Sequence, residues 1–524
     1  MSPEDREVTR QRPAAVLRAP RVVEINANVV LTGSLGRPGT RPVHLQVLDT
    51  MYDVWKRVAR TRSTRAGDFR FAKVLVRPPA NPAPILTVRA FAPRAGSRPA
   101  VATPRKVVRS VYPRPDMTGP LTIASVDSDE RLGDERSGDN GFDLSDDGRF
   151  AVFASAATWA DPSQRRPGLQ IFLRDRERGR TTLITRGLDG RPTNYSFTPL
   201  ISGDGRWVVY WSKARKLVAH DPTRSGDLYW WDRRSGRNSV VVGVPRGAYV
   251  VRPLALSRDG RFLAFATSAP DISPSPVDEA MDLYVLDRET GEADQVPTPD
   301  TPRGYGIEDM FAVSMSDDGR FIAYAVDVPD LSPSMYPNNR ELRLTDRRLG
   351  TTQEIPVDPF GLRGPVEDVD VTHTAMSGDG RFVAYVARIV PSEPSRSARA
   401  AVVWDRQTGD VEVVAQPPRP YPDPSAGPAV ADISSDGRYV AYLSIDVIDE
   451  QVLRADRVTG IVDVVVPDPP VGPPDGSDPF FSAPRISGDG STIVFTIDAL
   501  QKEYVPGDIN RVVDLFAWDA PPAD

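Results

Sequence analysis

The chain has 524 residues, with 65 Lys plus Arg against 71 Asp plus Glu, a formal net charge of −6, and 40% hydrophobic residues. Its 52 Pro and absence of Cys exclude disulfides, zinc–thiolate sites and cysteine nucleophiles. They also argue against a helix-dominated fold, because an interior helical proline costs about 3 kcal/mol. No apolar run approaches the ~18 residues of a membrane helix, so no membrane span is expected, and the opening MSPEDREVTRQRPAAVLRAP lacks the apolar stretch of a signal peptide.

Charge is divided along the chain. Residues 1–120 carry 22 Lys/Arg and 8 Asp/Glu, a net of +14, which leaves −20 on the rest. Residues 1–20 read as a disordered polar tail. From 21 to 112, short β-rich runs recur at 22–25, 29–33, 43–48, 55–61, 69–76, 85–91 and 102–108, separated by Gly, Pro and Ser. Seven such runs predict a small β-sandwich. Arg57, Arg60, Arg62, Arg65 and Arg70 alternate along two neighbouring runs. That pattern would place several on one solvent face, able to meet an anionic polymer or an acidic protein surface. No aromatic residues interleave with them, which argues against nucleic acid. A Pro-bounded segment, 113–120, reads as a stiff linker.

Residues 121–519 are organised by a sevenfold repeat. Ser-x-Asp-Gly recurs at Ser145–Gly148, Ser202–Gly205, Ser257–Gly260, Ser316–Gly319, Ser377–Gly380, Ser434–Gly437 and Ser487–Gly490. Six copies continue with Arg, an aromatic residue and an apolar run; the seventh continues Ser491-Thr492-Ile-Val-Phe. An Asp-Gly step before a β-branched and aromatic run is a tight turn feeding a strand. Asp-Arg-x-x-Gly marks a second turn at Asp175–Gly179, Asp232–Gly236, Asp287–Gly291, Asp346–Gly350, Asp405–Gly409 and Asp456–Gly460. Each repeat therefore holds four strands, A to D, with tight A–B and C–D turns, which is the unit of a β-propeller blade. The seventh repeat stops after its strand C, whereas 121–126 reads as a strand D without a blade. Pairing the two closes the ring and removes its edges. Residues 520–524 are a short tail.

The sequence Ser-x-Asp-Gly-Arg-aromatic-x-Ala-aromatic, followed by Asp-Leu-aromatic-x-x-Asp-Arg-x-x-Gly, resembles the WD40-like (TolB-type, PD40) β-propeller repeats of bacterial proteins over about 400 residues. The stretch Gly33…Pro42-Val-His-Leu45…Trp55…Thr61…Gly67-Asp-Phe-Arg-Phe71 resembles bacterial immunoglobulin-like or carboxypeptidase-regulatory-like modules. The expected fold is all-β: a seven-bladed β-propeller preceded by a small immunoglobulin-like β-sandwich. The first resemblance implies a scaffold for binding proteins or ligands, and the second a spacer or adhesion unit.

The long, proline-stiffened B–C and D–A connections leave from the face opposite the tight turns, and they form the expected protein-binding surface. Asp508, Asn510 and Asp514 supply oxygens at a spacing that suits Ca²⁺, the one cofactor candidate. Catalytic signals are absent: His44, His220 and His373 lie in different segments, and no Gly-x-Ser-x-Gly elbow occurs. The expectation is a non-enzymatic binding or scaffolding protein that recognises a protein partner through the loop-rich face, with the basic sandwich as attachment module. Two alternatives stay open: a structural component of a larger phage-like or injection-type assembly, and a carbohydrate-acting enzyme or lectin with its site in the propeller mouth. The family resemblance points to a secreted or cell-surface protein; the missing signal peptide fits a cytoplasmic or assembly-associated one.

Overall fold

The computed structural model describes residues 14–25, 28–49, 54–75, 85–96, 98–112, 114–160, 168–219, 226–242, 251–267, 282–297, 312–327, 340–356, 366–391, 398–415, 427–445, 450–466, 480–498, 504–506, 508, 510 and 512–521. Their regular elements are all β-strands, and none of them forms a helix long and apolar enough to cross a membrane. The chain divides into two compact units, with the boundary after residue 113.

The N-terminal unit contains β1 (Val16–Arg18), β2 (Val22–Glu24), β3 (Asn28–Ser34), β4 (Pro42–Asp49), β5 (Val54–Arg62), β6 (Asp68–Leu75), β7 (Ile85–Ala92), β8 (Val101–Ala102) and β9 (Lys106–Val111). They form a three-stranded sheet, β1-β3-β6, and a larger one ordered β2-β9-β7-β4-β5 with β8 paired to β7. Alternate residues of both sheets meet in one core: Leu17, Leu31, Phe69 and Phe71 from the first, Val43, Leu45, Val88, Ala90 and Val108 from the second. Period-2 alternation supplies these inward positions. Of the tail expected over 1–20, residues 1–13 lie outside the described residues, and strand β1 orders part of the rest. Leu17 is buried between exposed Val16 and Arg18, and the strand pairs with β3. The 102–108 run splits at Thr103, whose hydroxyl accepts the Ala90 N–H, and at Pro104, which has no N–H for a ladder.

The seven repeats fold as seven antiparallel sheets. The first has strands Ser137–Leu144, Phe150–Ser155, Gln170–Asp175 and Arg180–Leu183, ordered A-B-C-D. Sheets at 196–242, 251–295, 313–355, 366–415 and 427–464 repeat that order. The seventh comprises Phe480–Phe481 with Arg485–Ile486, then Thr492–Asp498 and Asp514–Asp519, and takes its fourth strand from β10 (Leu121–Ile123). β10 pairs antiparallel with Asp514–Asp519, Leu121 opposite Trp518 and Ile123 opposite Phe516. The regular strand is shorter than the 121–126 expected, because the Ala124 and Ser125 N–H groups both turn to the Leu515 carbonyl. Part of the expected linker is tied to the propeller unit, as the Asp116 N–H donates to the Pro506 carbonyl at 2.6 Å.

The repeated motif residues hold each turn and join the blades. In all seven A–B turns the Ser hydroxyl donates to the Asp carboxylate (2.5–2.8 Å). The same hydroxyl accepts the N–H of the residue that opens strand B. The glycine has positive φ in each copy. At Gly490 a Cβ would also run into the Tyr439 ring of the preceding blade, so both backbone and packing demand glycine. The motif Arg pairs with the Asp that ends strand C in six blades: Asp175, Asp232, Asp287, Asp346, Asp405 and Asp456. The Arg after that Asp stacks on the aromatic of the blade before it, as Arg233 on Phe150, Arg288 on Trp207 and Arg406 on Phe321.

Candidate functional site

Strands β4, β5 and β7 position the basic face. Leu45 and Val43 point into the core, so their neighbours His44 and Gln46 point outward, and register sets Arg60 opposite His44 and Arg57 opposite Gln46. Arg57, Arg60 and Arg62 are exposed, and none of them forms an ion pair with a described residue. Burial, and then the positive charge of Arg57 and Arg60, lowers the His44 pKa, so this face keeps a neutral imidazole among cations. On β7, Arg89 donates to Gln46 (2.9 Å) and stacks over Trp55 at 4.0 Å. Arg105 reaches the same ring at 5.4 Å.

The structure therefore divides the five arginines. Arg57, Arg60 and Arg62 share β5 and one sheet. Arg65 lies in the turn after it, and Arg70 lies on β6 in the other sheet. The runs that carry them are neighbours in sequence but not in a sheet: the turn at Thr64–Gly67 passes from one sheet to the other, with Gly67 at φ 94° and its carbonyl accepting the Leu35 N–H. Trp55 shares β5 with these arginines, two residues before Arg57, whereas Arg89 and Arg105 join the face only through the β4–β7 and β7–β9 pairings, which alternation along one strand does not reveal.

Of the calcium candidates, Asp514 and Asn510 come together. The Asp514 carboxylate is fully buried and accepts from the Ser125 hydroxyl (2.7 Å) and the Asn510 amide (2.6 Å), tying strand C of the last blade to the closing segment. Asp508 is half-buried nearby in sequence, its N–H donating to the Val505 carbonyl. Among the described residues no group of three or more His, Asp or Glu is arranged to hold a metal. Burial pushes the Asp514 pKa up to about 7, against the two hydrogen bonds that lower it. A carboxyl whose folded pKa exceeds its unfolded value near 3.8 loses stability as pH rises from about 4 to 7. Asp514→Asn is expected to weaken that loss by up to a few kcal/mol, read as a smaller fall in denaturation midpoint over this range; an unchanged slope would contradict it. Most of the B–C and D–A connections, including His220, lie outside the described residues.

The A–B turns of all seven blades converge on a cavity of about 710 Å³, lined by carboxylates including Asp146, Asp204, Asp317, Asp379 and Asp489 and by Arg258. Main-chain hydrogen bonds close a ring around it: the N–H of Asp146 donates to Gly203, Asp204 to Arg258, Arg258 to Asp317, Asp317 to Gly378, Gly378 to Ser435, Ser435 to Gly488 and Gly488 to Asp146. The second motif position faces this mouth. Arg258 lies between Asp146 (2.9 Å) and Asp317 (3.4 Å). Gly203 and Gly378 leave room for those carboxylates, since a Cβ at either would meet them. Burial, then the charge of Asp317, raises the Asp146 pKa to about 6.

No protein-family model matches the sequence, and neither does any curated protein. Among solved structures, the chain is similar to an oligogalacturonate lyase from Vibrio parahaemolyticus at 14% identity and TM-score 0.46, covering 74% of this chain and 91% of that one. An oligogalacturonate lyase in complex with manganese matches at 14% identity and TM-score 0.47, covering 83% and 97%. TolB from Acinetobacter baumannii matches at 14% and 0.34, covering 67% and 76%. These are distant likenesses of fold, and what those proteins act on is said of them alone.

Proposed function

We propose that this chain is a binding protein whose N-terminal unit attaches to an anionic polymer or acidic surface, while the propeller serves as a rigid platform for a protein partner. The observation that carries the attachment role is the row of Arg57, Arg60 and Arg62, exposed on one sheet face and without an acidic partner among the described residues. Charges left unpaired on a flat face favour polyanions through counterion release. The propeller supports the platform role through its closed hydrogen-bonded ring and its Arg-stacked seams. The test is salt elution of the full chain from immobilised heparin. Arg57→Gln/Arg60→Gln/Arg62→Gln is expected to elute at clearly lower salt, with a log–log salt slope reduced by roughly one per arginine engaged. Arg70→Gln, on the other sheet, should elute like the parent. Equal elution of the triple variant and the parent would sink the attachment reading.

A further inference from the structure

The innermost strands carry a second charged constellation below the mouth. Two residues before each motif Ser, the blades place Asp143, Leu200, Ala255, Ser314, Ala375, Asp432 and Arg485. Blades six, seven and one, which are consecutive around the ring, thus read Asp, Arg, Asp where the other four are apolar or Ser. Among the described residues, strand A pairs with strand B on one side only, so its other edge leaves N–H groups free to meet side chains toward the ring interior. Asp143 accepts the Ile201 N–H of blade two, and Asp432 accepts the Ile486 N–H of blade seven, both at 2.9 Å. These bonds fix both carboxylates on the inner edge.

Arg485 stands between them differently. Its guanidinium is close enough to interact electrostatically with Asp143, Asp432 and His373, yet the side chain makes no hydrogen bond or ion pair with any described residue. A guanidinium has five donors and is costly to leave unsatisfied away from bulk water. His373, on strand A of blade five, lies within the register shift between Val371 and Thr374, and its Nδ1 is buried without a hydrogen-bond partner among the described residues. All four side chains retain partial solvent access, while burial raises the carboxyl pKa values of Asp143 and Asp432 and lowers that of His373 to about 4. The free valences are one set of cationic donors, flanking carboxylate lone pairs and one imidazole acceptor.

We infer that the interior of the propeller ring holds a small zwitterion, of the amino-acid class, whose carboxylate pairs with Arg485 and whose ammonium faces Asp432, Asp143 and the His373 imidazole. An isolated anion would enter against two carboxylates and an isolated cation against Arg485; a molecule with both charges meets a complement for each. The site lies in the propeller unit and does not depend on the basic face, so variants of Arg57, Arg60 and Arg62 should leave it unchanged.

The test is isothermal titration of the full chain with glycine, glutamate, lysine and betaine, and with acetate and methylamine as single-charge controls. At least one amino acid is expected to bind in the micromolar to millimolar range, betaine more weakly because it has no N–H donors, and the controls at least tenfold more weakly. Arg485→Met should reduce amino-acid binding at least tenfold. Asp432→Asn, which keeps an acceptor for the Ile486 N–H and therefore the blade contact, should weaken it severalfold while leaving the denaturation midpoint near the parent's. Absence of binding by every amino acid up to 10 mM (on the order of −3 kcal/mol), binding unaffected by Arg485→Met, or acetate binding as tightly as the best amino acid would each overturn the inference.

Discussion

Ile123→Asp is expected to open the propeller ring and to cost about 4 kcal/mol, the scale of an uncompensated buried charge. Ile123 is fully buried at the end of β10 and lies opposite Phe516, whereas the neighbouring Thr122 is only partly covered. Strand β10 is the fourth strand of the last blade, although about 390 residues separate it from its partner, strand C, which opens at Asp514. Such a non-local pairing carries a large loop-closure entropy, offset by its ladder, the Ser125–Asp514 hydrogen bond and the burial of Ile123. Thr122→Asp is the control, with a smaller expected cost of about 1–2 kcal/mol from the lost hydroxyl bond to the Ala517 carbonyl. Denaturation midpoints give the two costs, and hydrogen exchange at 514–519 locates the damage. Equal costs for the two variants would mean that the ring does not depend on β10.

The sequence announces the repeat because each motif residue has a local duty. Ser, Asp and Gly make the A–B turn within five residues of one another, and Arg meets the Asp of its own blade. Constraints that close within one repeat recur visibly. The same locality explains why the closing strand was legible: a four-strand unit missing its last strand leaves one candidate at the other end. What the sequence does not display are duties that cross between chains of contacts. Trp55 under Arg89 depends on which strands pair, and Arg70 leaves the basic face because the turn at Thr64–Gly67 changes sheets. Asp143, Asp432 and Arg485 become neighbours only when the ring closes, although aligning the repeats on their Ser residues shows three charges at a position otherwise apolar or small.

The seam around blade seven shows how far such compensation extends, and it predicts a rescue. This blade has Ala520 where the others carry the stacking Arg, and Ser491-Thr492 where they carry Arg and an aromatic. Its backbone is nonetheless regular: the Ala520 N–H donates to Ser491 as the Arg233 N–H donates to Arg206. Two arginines from adjacent blades take over the missing contacts. Arg454 of blade six stacks between Tyr439 (4.7 Å) and Trp518 (4.9 Å) and donates to the Gly490 carbonyl, while its other nitrogens pair with Asp463. Arg176 of blade one, with no aromatic of blade seven to stack on, pairs instead with Asp519 at 2.6 Å. Arg454→Met removes a largely buried guanidinium with an ion pair, a carbonyl bond and two ring contacts, at an expected cost of about 2–4 kcal/mol. Adding Ala520→Arg to that variant restores the regular geometry, in which the new side chain reaches Tyr439 and the Gly490 carbonyl, and should recover at least half of the loss. In the parent chain, where Arg454 already occupies that place, Ala520→Arg should change stability by less than about 0.5 kcal/mol. Denaturant midpoints of the four chains complete a double-mutant cycle. A coupling energy near zero would mean that Arg454 does not stand in for the missing arginine.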